Sequence, residues 1–78
     1  MKKTANLQSE IGYRIKYIRE NNLNLSQKGL AEKCLLDATY ISRVEKGRQN
    51  LTIETLEQIC HALGITVKEF FEFELPHE

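Results

Sequence analysis

The chain has 78 residues, 41% of them hydrophobic, and its eleven Lys and Arg balance eleven Asp and Glu to a formal net charge of zero. That length predicts a single domain, 1–78, and a domain so small buries only roughly 60% of the surface its unfolded chain exposes. The hydrophobic content excludes a disordered chain. No apolar run is long enough to span a membrane, and none follows the lysines of MKKTANLQSE as a secretory leader requires.

The balance of charge hides a split. Residues 1–48 carry ten Lys and Arg against five Asp and Glu, whereas residues 49–78 carry only Lys68 against six Glu. A basic working face and an acidic far side follow from that division. Cys34 and Cys60 each fall on the apolar face of a predicted helix, where a free thiol acts as a small hydrophobe. Reduced cysteines without a leader predict a cytoplasmic protein.

In chain order, residues 1–8 are polar and are expected to fray. Ser9 can cap a first helix whose apolar positions, Ile11, Ile15 and Ile18, recur at helical spacing. The run Asn21-Asn22-Leu23-Asn24 ends it, because Asn favours turns and tolerates left-handed backbone. Ser26 is the natural N-cap of a second helix carrying Leu30, Ala31 and Cys34 on one face. Gly29 inside that helix costs about 0.5–1 kcal/mol relative to Ala, and a close helix crossing is one reason to accept it.

The joint Cys34-Leu35-Leu36-Asp37 is too short for a flexible loop, so the two helices it links must cross steeply. Asp37 caps a third helix, Ala38 to Lys46, with Ile41 and Val44 on its inner face, and Gly47 stops it. After the polar loop Arg48 to Leu51, Thr52 caps a fourth helix with Ile53, Leu56, Ile59, Cys60 and Leu63, ended by Gly64. Thr66 and Glu69 form a capping box for a short fifth helix with Val67, Phe70 and Phe71. The tail, 72–78, continues an apolar–acidic alternation from Phe71 to Leu75, a strand signal that Pro76 ends. With no buried-strand candidate in the body, the domain reads as all-α, and the steeply jointed second and third helices read as a helix-turn-helix.

Ser26-Gln27, Leu30-Ala31, Leu36-Asp37, Tyr40-Ile41-Ser42 and Val44-Glu45-Lys46-Gly47 resemble the phage repressor (Cro/C1, XRE-type) helix-turn-helix family. Ile11-Gly12 through Arg19, Thr52 through Ile65, and Val67 through Phe71 are similar to its first, fourth and fifth helices. Thr39-Tyr40-Ile41-Ser42 and Asn50-Leu51-Thr52-Ile53 are similar to the controller proteins of restriction-modification systems. The resemblance implies a five-helix, lambda-repressor-like DNA-binding domain. Two positions depart from the pattern. Leu35 stands where the turn usually has Gly, so it needs strained positive-φ backbone or a different turn. Ala38 stands where controllers start the recognition helix with Arg, which removes the best guanine reader. The stretch Asn21 to Leu25 is also one residue longer than the family norm.

The resemblance places Ala38, Thr39 and Arg43 against base edges. Arg43 can donate two bonds to guanine, or hold a phosphate or a surface carboxylate instead. Ser26 and Gln27 lie at the family's phosphate clamp, beside the free amides of a helix N-terminus. Tyr40, Ser42, Lys46, Arg48 and Asn50 follow as DNA-backbone contacts, with Tyr40 divided between the sugar edge and the core. Arg19 and Glu45 fall opposite one another as a surface ion pair between helices one and three, worth about 0–1 kcal/mol and serving geometry.

Family members of this length dimerise through helices four and five, which implies an interface from Ile65, Val67, Phe70, Phe71 and Phe73, some of these residues being core instead. The implied partners are double-stranded DNA and a second copy of the chain. No membrane, small-molecule ligand, cofactor, metal site or catalytic residue is expected: Cys60 and His61 are adjacent and point apart, and Cys34 and His77 add no metal-binding spacing. The function so implied is a sequence-specific transcriptional regulator on a near-palindromic operator, one possible setting being a restriction-modification system. An antitoxin or protein-interaction module that kept the fold is the alternative.

Overall fold

The structure, a computed structural model, describes residues 6–72. Within them every regular element is a helix: α1 (Leu7–Asn21), α2 (Gln27–Cys34), α3 (Ala38–Glu45), α4 (Ile53–Leu63) and α5 (Val67–Phe70). The all-α expectation and the pairing of α2 with α3 are met. The stretch predicted as a strand does not start as one: Phe71 closes α5 as its C-cap at φ -91, ψ 4, and 73–78 lie outside the described residues.

Each helix begins where a short polar side chain can accept an orphan amide. Asn6, not Ser9, caps α1; the Ser9 amide itself donates to the Asn6 side chain at 2.8 Å. Ser9 is therefore inside the helix, and the fraying predicted for 1–8 does not extend to Leu7 and Gln8. Ser26 and Thr52 cap α2 and α4 as expected, and Thr66 with Glu69 forms the predicted capping box. Asp37 occupies the N-cap position of α3, yet its side chain makes no capping bond. Its contribution there is the charge it places near the positive end of the helix.

The core is built from one stripe of each helix. Ile11, Ile15 and Ile18 of α1 meet Leu30, Ala31 and Cys34 of α2, Ile41 and Val44 of α3, Leu56, Ile59, Cys60 and Leu63 of α4, and Phe70 of α5. Burial pushes both thiols above their ordinary value, so Cys34 and Cys60 stay protonated and unreactive. Two side chains tie helix ends to distant elements. Gln58 of α4 donates to the Cys34 carbonyl at 2.6 Å, which caps α2, and Arg14 of α1 donates to the Phe70 and Glu69 carbonyls, which caps α5.

Gly29 does not mark a helix crossing: a Cβ there would meet only Leu25 and Ser26 of the preceding loop, at 3.3 Å. The close crossing is at Gly12. A Cβ on it would overlap the Val44 carbonyl oxygen and press on the Glu45 backbone at 3.0 Å. Glycine therefore lets α1 lie directly on the C-terminal turn of α3.

The α2–α3 turn takes the strained route. Leu35 adopts φ 61, ψ 40, its amide reaching the Glu32 carbonyl, and Leu36 donates to the Ala31 carbonyl at 2.9 Å. This is the Schellman pattern, which favours Gly at the left-handed position. A side chain there costs roughly 1–2 kcal/mol, and Leu35 recovers little by burial, since it is 87% exposed.

Leu35→Gly should therefore stabilise the domain by about 0.5–1 kcal/mol after the entropic cost of Gly is subtracted. That is a rise of a few degrees in thermal midpoint. Gly12→Ala should lower the midpoint instead, by the overpacking cost of about 1–3 kcal/mol. Thermal melts of the two variants beside the parent check both signs.

Candidate nucleic-acid interface

The residues assigned to DNA lie at the start of α2, along α3 and in the loop after it. Ser26 accepts the Gly29 amide at 2.9 Å, which sets the N-terminus of α2 with Gln27 and Lys28 as its first two residues. The next exposed turn is α3. Thr39 and Arg43 lie one helical turn apart and are both exposed. Ala38, Tyr40 and Ser42 are half-buried, and Ala38 and Tyr40 pack on the core. Tyr40 thus spends part of its ring on the interior, as one of its two sequence readings had it. Lys46, Arg48 and Asn50 follow, all exposed.

Asn50 accepts a hydrogen bond from the Gln8 side chain, so the loop after α3 is pinned to the start of α1. Gly47, at φ 73, turns the chain there, close against Ser9. The exposed charges of these segments are Lys28, Arg43, Lys46 and Arg48, with Asp37 the acidic exception. On α4, α5 and the residue beyond they are Glu54, Glu57, Glu69 and Glu72, with Lys68 the basic one. Glu20 and Glu32 are exposed as well, and Lys33 lies beside Glu54 and Glu57, so the charge split read along the chain is not a clean split in space.

Behind the α2 N-terminus lies the Arg19–Glu45 pair. Arg19 Nε donates to Glu45 Oε2 at 2.7 Å, and its Nη2 to Glu45 Oε1 at 2.9 Å. The side chains are only 7% and 3% exposed, so this is a buried, two-pronged pair and not the surface contact expected. Its hydrogen bonds to Glu45 hold the guanidinium above its ordinary value, against the opposing effect of burial. Arg19 Nη1 also donates to the Leu25 carbonyl at 2.8 Å, and Gln27 Nε2 donates to Glu45 Oε1 at 3.0 Å. Sequence reasoning missed both bonds, as it missed Gln58 and Arg14. No local pattern announces the Gln27, Gln58 and Arg14 contacts, whose partners lie 18 to 56 residues away.

Of the residues assigned to a dimer interface, Val67 and Phe71 are exposed and Ile65 is half-buried. Phe70 corrects the expectation. It is fully buried inside its own chain, edge-on to Phe71 at 5.1 Å between ring centroids, so it supports that surface from beneath. Phe73 lies outside the described residues. Among the described residues no three His, Cys, Asp or Glu side chains cluster as metal ligands would. No helix among them is long and apolar enough to cross a membrane.

Residues 15–70 match the family described as helix-turn-helix. The chain belongs to that helix-turn-helix family. It is 37% identical to the control protein C.BamHI of Bacillus amyloliquefaciens over 70 residues, covering 90% of this chain and 86% of that one. It is 40% identical to the control protein C.MunI of a Mycoplasma species over 60 residues, or 77% of this chain and 81% of that one. Among solved structures it superposes on the restriction-modification controller protein C.Esp1396I, a tetramer in complex with its natural 35 base-pair operator. There the TM-score is 0.80 at 40% identity, over 88% of this chain and 90% of that one. These are families of transcriptional control, so the scaffold and its helix-turn-helix are those of a regulator.

Breaking one side of the buried pair leaves the other charge stranded, at about 3–5 kcal/mol. A domain of this size has roughly 4–12 kcal/mol to lose. Arg19→Met should therefore take most of its stability, whereas Arg43→Ala, on the exposed face, should stay within about 0.5 kcal/mol of the parent. Urea titrations followed by circular dichroism compare the two.

Proposed function

We propose that the chain is a sequence-specific DNA-binding transcriptional regulator acting in the cytoplasm as a homodimer on a near-palindromic operator. The observation that supports this most strongly is the helix-turn-helix with its basic, exposed side. The recognition helix α3 turns Thr39 and Arg43 outward, and the cations flanking them belong to the same side. Thr39 and Arg43 read base edges, with Ala38 contributing its exposed portion. Arg43 takes a guanine through two hydrogen bonds. Ser26 and Gln27 hold a phosphate at the α2 N-terminus. Tyr40, Ser42, Lys46, Arg48 and Asn50 grip the flanking backbone, which sets register and salt dependence.

Dimerisation uses Ile65, Val67 and Phe71, extended by Phe73. Two copies so joined would set their recognition helices about 34 Å apart, one turn of the duplex. The likeness to C.BamHI, C.MunI and the operator-bound C.Esp1396I supports a place in controlling a restriction-modification system. The same likeness to transcriptional regulators supports a role in binding rather than in catalysis.

A second reading, a protein-interaction module that kept the fold, has one observation in its favour. Leu35 and Ile53 are 87% and 83% exposed, beside the acidic Glu54 and Glu57. It predicts a stable protein complex and no sequence preference on DNA.

Selection from a random duplex pool tests the choice. The regulator reading predicts an enriched inverted repeat with half-sites about one helical turn apart. It also predicts that Arg43→Ala lowers discrimination at one position of each half-site by about 10–100-fold. Lys46→Ala should weaken all sequences alike and flatten the salt dependence by about one unit of slope. A pool that remains random at moderate salt would overturn it.

A further inference from the structure

We infer that Glu45 is a positioning residue for Gln27, holding its amide at the N-terminus of α2 in the one orientation that offers a donor to a DNA phosphate. The inference rests on the DNA-binding reading above and goes beyond it, because the Glu45 side chain is only 3% exposed and acts through Gln27. Its carboxylate accepts three hydrogen bonds: two from Arg19, at 2.7 and 2.9 Å, and one from Gln27 Nε2, at 3.0 Å. A carboxylate paired with a guanidinium offers only acceptors. The Gln27 amide must therefore turn its nitrogen inward; flipped, it would set oxygen against oxygen. With one hydrogen committed to Glu45, the planar amide directs its second N–H away from the pair.

The same pair fixes the backbone on the other side of the cap. Arg19 Nη1 donates to the Leu25 carbonyl at 2.8 Å, and the Leu25 amide donates to the Arg19 carbonyl at 2.9 Å. The Gly29 amide is taken by the Ser26 hydroxyl. The amides of Gln27 and Lys28, at the first two helical positions, have no intrahelical acceptor. Two backbone N–H groups and one side-chain N–H are thus left together at the positive end of α2. The side-chain donor is held there by a contact made before DNA arrives. Donors ordered in advance lose less freedom on binding.

The test uses full-length protein, the operator duplex from the selection above and an unrelated duplex of equal length, with binding read by fluorescence anisotropy. Gln27→Ala should weaken both duplexes by about tenfold, the scale of one hydrogen bond to a charged group. Glu45→Asp keeps a charge for Arg19 but draws the carboxylate back by one methylene. It should weaken both duplexes similarly while leaving the ratio between them unchanged. The double variant should be no weaker than either single one, because the two changes remove one interaction. Losses that multiply to about a hundredfold, or a Gln27→Ala variant that binds like the parent, would overturn the inference.

If Glu45→Asp does not fold, the parent alone decides. In its amide spectrum the Gln27 side-chain pair, assigned by its absence in Gln27→Ala, should show one proton protected from exchange. Exchange at the rate of an unstructured glutamine would overturn the inference. That spectrum is read without DNA, so a failure of operator selection sinks the regulator reading and leaves this measurement standing.

Discussion

The guanidinium of Arg19 and the carboxylate of Glu45 meet in the interior, where an ion pair is expensive to assemble and more expensive to break. Desolvating both charges offsets much of their attraction, so the pair adds little net stability over an apolar replacement of the same shape. What it supplies is geometry. A two-pronged guanidinium–carboxylate contact has a fixed distance and plane, and here the partners sit near the end of α1 and on the last residue of α3. The angle between those helices is set by that contact and by Gly12, which lets the α1 backbone rest on α3. Through Leu25 and Gln27 the same contact reaches the start of α2. One buried pair thus ties α1, α2 and α3 together.

The turn between α2 and α3 is less economical. Leu35 holds a left-handed conformation while its side chain remains in solvent, so strain and exposed apolar surface fall on the same residue. The turn survives because its neighbours determine it. Leu36 is packed on the core, Gln58 holds the Cys34 carbonyl, and Ala31 and Glu32 accept the amides that close the turn. A stabilised turn would be available through Gly at no loss of burial. Why this chain carries Leu there has no explanation in the structure.

Much of this was legible in the residues. Apolar spacing located every helix, and the caps at Ser26, Thr52 and Thr66 were read correctly, because capping depends on local chemistry alone. Leu35 was read as needing positive φ or a different turn and takes the first, and Arg19 was matched to Glu45 through the family likeness. The failures have separate causes. Asn6 displaced Ser9 because the apolar spacing of Ile11, Ile15 and Ile18 continues one turn upstream to Leu7, a residue left out of the stripe although it lies four before Ile11. A close crossing was considered at Gly29 and not at Gly12, since a sequence shows that a glycine is present but not what faces it. Phe70 was assigned to a surface, because the apolar Val67, Phe70 and Phe71 of a four-residue helix and its C-cap give no local sign of which one turns inward. The depth of the Arg19–Glu45 pair and its link to Gln27 are tertiary facts that no local pattern encodes.

The central claim is that the α2 N-terminus, the outer face of α3 and the loop after it form a single DNA-facing surface, with the acidic helices turned away. Amide chemical-shift mapping during titration with the selected duplex tests it residue by residue. The account predicts shifts confined to Ser26–Lys28, Ala38–Lys46 and Arg48–Asn50, with Glu54 and Glu57 unmoved except where dimer contacts change. Shifts concentrated on α4 and α5, with α3 silent, would contradict it.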